Sequence, residues 1–486
     1  MDTILSIILL PLLFALLIYF AGRKYAAPLA LAGAGINLFY FLFLLSGFRA
    51  SHSVENVFNV AWIPGINANL HFGLDALGIF MILLTALVLP IGLIASLKYS
   101  EHRSKVYYIL MMLGLSALNG FFSAQNDVTF YVFFELALIP FYFIVLMYGG
   151  AQRRQAVFKF FVYTVFGSFL MLGSIIYLHS LAGQNPTNDW SMLYDMELHD
   201  VCATRTAKML AGLFVAFAIK SPLFPFHTWQ SDLYTEGDRP TIIIIAAVLS
   251  KMGVFGILRF FNVVNEAIAQ YQVPLIVLCI VGVLYGALVA WRQNEVTRIM
   301  AYSSLSHMGM IAAGIFTATV PGLKGGVFQM LSHGLIAAGM FFVADSMISR
   351  TMDNSIDATT GMARSHPNLA VYFFVLCLAS VGLPLTSGFI GEFNILQGLS
   401  QIRLVIAALA GVSVILGALY TFRMYQRMMF GTPNSITSAL PSLKMNEDYV
   451  LIVLMILVLV LGFYPDTWLD LADQATASFL QLKPKG

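Results

Sequence analysis

Uncharged apolar runs of about twenty residues recur along the whole chain, from TILSIILLPLLFALLIYFA at the start to YVLIVLMILVLVLGF near the end. Few folds can use such runs. In lipid every backbone N–H and C=O must be satisfied within the protein, which leaves the α-helix as the spanning unit for segments of this length. Windows of about 19 residues give fourteen spans, at 3–21, 28–47, 75–97, 106–123, 127–148, 156–181, 207–226, 241–261, 271–290, 299–318, 322–346, 368–399, 404–426 and 449–465. The expected fold class is an all-α polytopic membrane protein of about 14 transmembrane helices. Only 10% of the 486 residues are charged, against about 25% in soluble domains. The first run has no basic residue before it and no small-residue cleavage site after it, so it reads as a span and not a cleaved leader. The longest polar connections, about 48–74 and 182–206, are too short for a soluble domain.

The basic residues give an orientation. Connections after odd-numbered spans hold sixteen of the 26 Lys and Arg residues and the other side holds eight. The positive-inside tendency then puts both termini outside. Two lysines are left over, Lys220 and Lys251, and both fall within spans. A charge near the bilayer centre costs about 2.5–3.5 kcal/mol on insertion scales, so it marks function. Glu135 in YVFFELALIP, Glu392 in LPLTSGFIGEFN, His307 in SSLSHMGM and His333 in FQMLSHGLIAAG join them.

Two spans are interrupted: the seventh at Pro222 and Pro225, the twelfth at Pro384, Gly388 and Gly391. They lie five spans apart. A five-helix unit crosses an odd number of times, so a second copy enters the membrane upside down. Spans four to eight (106–261) and nine to thirteen (270–428) then form two inverted five-helix repeats, each with a broken helix. They are preceded by 1–105 with spans one to three, and followed by 429–486 with span fourteen and a tail. Proline removes a donor and frees a carbonyl one turn earlier, so broken segments line cavities or bury themselves in neighbours.

Removal from water disfavours the ammonium form of Lys220, while a nearby carboxylate favours it. At 4 Å and an effective dielectric near 20, a Glu135–Lys220 pair would interact by about 4 kcal/mol, or roughly three pKa units. Changing that separation would bind or release a proton. His307 and His333 suit intermediate carriers, Lys251 a bridge between the halves, and Glu392 a terminal site. Bland readings stand beside these. A Glu–Lys pair also serves as structural glue, and either histidine alone reads as a packing residue, with Ser303 and Gln329 one turn before them. Asp75 reads as a helix N-terminal acid, and Asp232, Glu236 and Asp238 as solvated. Six buried ionisable groups together favour a proton path.

Other chemistry finds no support. Cys202, Cys279 and Cys377 show no paired or metal-ligand spacing, and no phosphate loop, dinucleotide fingerprint or HExxH occurs. A net charge of +2 gives no sign of a nucleic-acid partner.

AFAIKSPLFPFHTWQSDLYTE, SKMGVFGILRF, RIMAYSSLSHMGMI, GGVFQMLSHGLIAAGMF and LPLTSGFIGEFNIL occur in this order. With them the chain resembles the antiporter-like membrane subunits of proton-pumping NADH:quinone oxidoreductase (respiratory complex I), from about span three to span thirteen. The resemblance implies that Glu135, Lys220, Lys251, His307, His333 and Glu392 are the proton-transfer residues. It also implies a bacterial inner membrane, neighbouring membrane-arm subunits as partners, and no cofactor on this chain; NAD, FMN, iron–sulfur clusters and quinone belong to partner subunits. Glutamate in span twelve and a short tail resemble the M, or chain 4, type more than the L and N types. Two places depart from the family pattern: Phe134 stands where tryptophan is common, and TEGDRPTIIIIAAV is unusually apolar. Three alternatives compete: a multi-subunit Na⁺/H⁺ antiporter, a related membrane-bound hydrogenase or formate-linked arm, and a quinone-binding electron-transfer subunit. Glu392 speaks against the first, nothing in this chain separates the second, and the missing cofactor motifs disfavour the third.

Overall fold

The computed structural model describes residues 3–48, 54–66, 68–181, 189–190, 193, 203–438 and 440–480. Cys202 and most of the connection 182–206 lie outside them. Among the described residues, eleven helices are long and apolar enough to cross a membrane, and two shorter apolar helices run over Ile4–Phe20 and Pro367–Ser380. Helical segments fall in every predicted window.

Layering shows in burial. The eighth span, Arg239–Phe261, and the eleventh, Val320–Thr351, are wholly buried. The second, sixth, thirteenth and fourteenth spans, by contrast, bury only a third to two-fifths of theirs. They turn Phe39, Phe43, Phe166, Phe169 and Ile415 outward. Small residues let the central helices approach: a Cβ on Gly325 would lie 2.7 Å from Asn394 Cβ and 2.8 Å from the Ile395 nitrogen. That seats the eleventh span directly on the second half of the twelfth.

Two elements were not expected. The connection between the second and third spans carries an antiparallel hairpin, Glu55–Ile63 with Ala68–Leu74, pairing Val60 with Leu70 and Phe58 with Phe72. The all-α reading needs that correction. Aromatic and β-branched residues alternating with polar ones on either side of Pro64-Gly65 were the available signal. After the fourteenth span, Asp466–Leu480 forms a further helix. It sets Trp468 against Phe80 (6.0 Å between rings) and Phe479 against Phe261 (5.7 Å).

Charges gather at the two ends of the bundle. At one end Asp345 receives Lys98 (2.6 Å), the Tyr99 hydroxyl (2.7 Å) and Arg239 (3.2 Å), and Arg350 meets Glu447. Arg103 pairs with Asp238 at 2.6 Å and lies 3.6 Å over the Tyr107 ring. Burial pushes the Asp238 carboxyl above its usual range, against the pull of Arg103. Asp238 and Arg239 therefore belong to a buried network instead of open solvent. At the opposite end Asp75 caps the third span by accepting from Gly78 N–H at 2.6 Å, and it also takes both arms of Arg259. The connections on the Lys/Arg-rich side thus meet one another, as a common side requires.

Candidate functional site

Both interruptions keep their backbone groups satisfied, and in the same way. In the seventh span the helix Ala203–Lys220 stops, and Thr228–Glu236 resumes. Across the gap Ser221 N–H donates to Phe217 O (2.8 Å), Leu223 N–H to Ala218 O (2.8 Å) and Phe226 N–H to Leu223 O (2.7 Å). The Trp229 indole N–H takes the carbonyl of Ile219 at 3.0 Å. In the twelfth span, between Pro367–Ser380 and Ser387–Ile402, Val381 donates to Cys377 (3.1 Å), Leu383 to Leu378 (3.0 Å) and Thr386 to Leu383 (3.1 Å). Every partner is displaced by the same 160 residues. Proline shapes the first break. The second uses backbone with positive φ at Gly382 (72°) and Leu385 (76°).

Lys220 ends the helix before the first break and is 2% exposed. Its neighbour across the bundle is Glu135, within electrostatic reach. No ion pair or hydrogen bond joins the two among the described residues. Instead the amine stands over the ring of Phe134, 4.5 Å from its centroid. The close pair expected from the sequence is therefore open here, with the ammonium over an aromatic face.

Lys251 is fully buried. The isoleucine run before it supplies a π-helical turn, Ile245–Leu249, a device often found at functional sites. Its Nζ donates to the Ala246 carbonyl at 2.8 Å and to Ser250 Oγ at 3.2 Å. The apolar stretch that departs from the family pattern is thus the stretch that presents a carbonyl to the lysine. The same span is tied to the first break: Val254 N–H donates to Ser221 Oγ at 2.7 Å.

His333 lies within electrostatic reach of both Lys251 and His307. The two imidazoles are 5.1 Å apart between centroids, and His307 Nδ1 lies 3.2 Å from Glu392 Oε1. Glu392 folds back over its own break: a Cβ on Gly382 would come 2.6 Å from Oε2, so only glycine leaves the carboxylate room. Four predicted residues thus form one contiguous line, Lys251, His333, His307 and Glu392. Glu135 and Lys220 form a second group, and no described ion pair or hydrogen bond joins Lys220 to Lys251.

Polar groups that the sequence reading passed over complete the line. Tyr420, on the thirteenth span, donates to Ser303 Oγ at 2.8 Å. With Ser303, Ser304, His307 and His333 it lines a cavity of about 30 Å³, room for about one water. His307 Nε2, His333 Nδ1 and Ser304 Oγ are buried there without a protein partner. Nearer the basic end, Tyr234 and Gln230 bring polar atoms beside Ser250. The adjoining Thr235 lines a cavity of about 310 Å³ together with Arg103, Asp238 and Asn354. A tyrosine in an apolar helix was the sequence signal at Tyr420. Tyr234 carried none, because it looked like part of a surface connection. The described residues contain no group of three or more His, Cys, Asp or Glu able to hold a metal ion.

This geometry suits proton transfer along side chains. The family described as "NADH:quinone oxidoreductase/Mrp antiporter, TM" matches residues 124–417, which include all six residues. NADH-quinone oxidoreductase subunit M of Rickettsia typhi is 33% identical over 460 residues, covering 94% of this chain and 92% of that protein. A chain of respiratory complex I from Thermus thermophilus superposes with a TM-score of 0.90 at 31% identity, each chain covered in full. A chain of the Mrp complex of Dietzia sp. shares the fold, with a TM-score of 0.89 at 20% identity and 98% of this chain covered. The chain belongs to the NADH:quinone oxidoreductase/Mrp antiporter family of membrane subunits.

Proposed function

We propose that this chain is the M-type (chain 4) membrane-arm subunit of an energy-converting NADH:quinone oxidoreductase, moving protons through its intramembrane Glu, Lys and His residues. Electron transfer takes place in other subunits, which carry NAD, FMN, the iron–sulfur clusters and quinone. All fourteen windows cross the membrane in this reading, with spans four to eight and nine to thirteen as the inverted repeats. The matching hydrogen-bond register of the two breaks supports that pairing. The termini lie outside the inner membrane of a bacterium, and the cavity beside Arg103 and Asp238 opens to the cytoplasm.

One observation carries the proposal: Lys251 lies within electrostatic reach of His333, the His333 and His307 rings are 5.1 Å apart between centroids, and His307 Nδ1 lies 3.2 Å from Glu392 Oε1. A proton reaching Lys251 passes between the imidazoles, each able to gain on one nitrogen and lose from the other. It arrives at the Glu392 carboxylate, while closing or opening of Glu135 against Lys220 decides when Lys220 releases its own proton. Neighbouring antiporter-like subunits and the lipid bilayer are the partners.

The test compares Lys220→Ala and Glu135→Ala with the parent complex in inverted vesicles. Proton pumping is expected to fall at least tenfold, the lower end for loss of a proton-transfer group being about 10². NADH oxidation by an artificial acceptor should survive. Normal pumping in both variants would defeat the reading. The Na⁺/H⁺ antiporter reading predicts instead gradient-driven cation exchange in vesicles without NADH.

A further inference from the structure

Phe134 is 2% exposed and is held by other rings. Phe130 stacks against it at 6.3 Å, Phe121 lies at 5.9 Å, and Phe217, on the lysine's own helix, meets it at 6.4 Å and 72°. Its orientation is therefore fixed by packing from the fourth, fifth and seventh spans. One face remains, and the Lys220 ammonium stands over it. We propose that Phe134 is a positioning residue of the Glu135–Lys220 switch, its ring face giving the protonated lysine a second docking place, weaker than the carboxylate. This rests on the function proposed above.

Chemistry sets the two places apart. A ring quadrupole attracts a desolvated ammonium, but less strongly than a carboxylate at about 4 Å does. On the ring the lysine holds its proton less tightly than in the closed pair but more tightly than it would without the ring, and the carboxylate can still draw the ammonium off the ring. Sequence neighbours Phe134 and Glu135 present both places from one helix. Other charged groups on the packed elements are engaged elsewhere. Lys159 of the sixth span holds Asp232 and the Thr228 carbonyl, and His179 holds Asp127. Lys251 and Arg259 of the eighth span hold Ala246 and Asp75, while Glu266 and Arg292 lie in the first and last turns of the ninth. Glu135 is the charged group whose field reaches Lys220.

The experiment measures protons pumped per NADH oxidised across pH, in vesicles holding the intact complex, for Phe134→Leu, Phe134→Tyr and Phe134→Trp, with Lys220→Ala as control. Removing the ring should move the alkaline limb of pumping about one pH unit lower. Tyr should leave it in place, and Trp, the stronger partner, should move it higher. If Lys220→Ala stops pumping but the limb stays fixed in Leu and Trp alike, the ring has no such role. A uniform loss in Leu without a shift overturns it equally. Should the Leu complex fail to assemble, the Trp limb alone decides. Undiminished pumping in Lys220→Ala instead removes the functional reading itself.

Discussion

The two broken spans use one backbone device and put their charge on opposite sides of it. By the shared displacement of 160 residues, Lys220 corresponds to Ser380 and Glu392 to Asp232. In the first half the buried charge precedes the break and faces an aromatic ring. The position after it, Asp232, is 41% exposed and paired with Lys159. In the second half the position before the break is a neutral serine, and the buried charge after it reaches back to Gly382 and across to His307. A break supplies a place where helix packing opens. Which flank holds a desolvated charge is decided by the neighbours, Phe134 and Glu135 in one case, His307 and Gly382 in the other.

Removing the charge on either working flank should have the largest effect. Glu392→Gln keeps the shape but cannot accept a proton, and pumping should fall at least tenfold, toward about 10², with quinone reduction measured in parallel. Unaltered pumping would mean that the second break carries no proton. Gly382→Ala tests the same flank through sterics: a Cβ 2.6 Å from Oε2, on backbone at φ 72°, should displace the carboxylate. A loss of pumping of up to about 10² is expected, the cost of an ångström-scale misplacement. A fully active variant would show that the folded-back position is dispensable.

Tyr420→Phe removes only a hydroxyl beside the His307–His333 cavity. The expected loss is about two- to fivefold in pumping, the weight of one hydrogen bond of about 1 kcal/mol. A greater loss would promote Tyr420 to an obligatory carrier. Asp232→Asn should do least, since an exposed ion pair contributes about 0–1 kcal/mol. If its effect on pumping matched that of Glu392→Gln, the asymmetry between the halves would collapse.

Much of this molecule was legible because lipid permits so little. Apolar runs had to be helices, two prolines had to break one of them, and two lysines had to be buried for a reason. The hairpin at Glu55–Ile63 was missed because hydropathy windows do not register period two. The helix Asp466–Leu480 was missed because its apolar residues lie on one face. Among site residues, Lys251, His307, His333 and Glu392 were found by their cost in lipid. Tyr420 and Ser304 carry no charge and gave no such signal. The open Glu135–Lys220 pair was also invisible, since residue types at 135 and 220 do not state a distance.

By itself the sequence determined that the chain spans a membrane, where its long apolar helices run, where two of them are interrupted, and which intramembrane groups are ionisable. Insertion energetics act residue by residue, so they are written in the order of the letters. Only the tertiary structure decided that His333 and His307 stand between Lys251 and Glu392, that the glutamate turns back over Gly382, and that the Lys220 ammonium stands over a phenylalanine face instead of closing on its carboxylate. Those facts depend on how spans far apart in the chain pack at glycine contacts, and packing is a property of surfaces that meet only after folding.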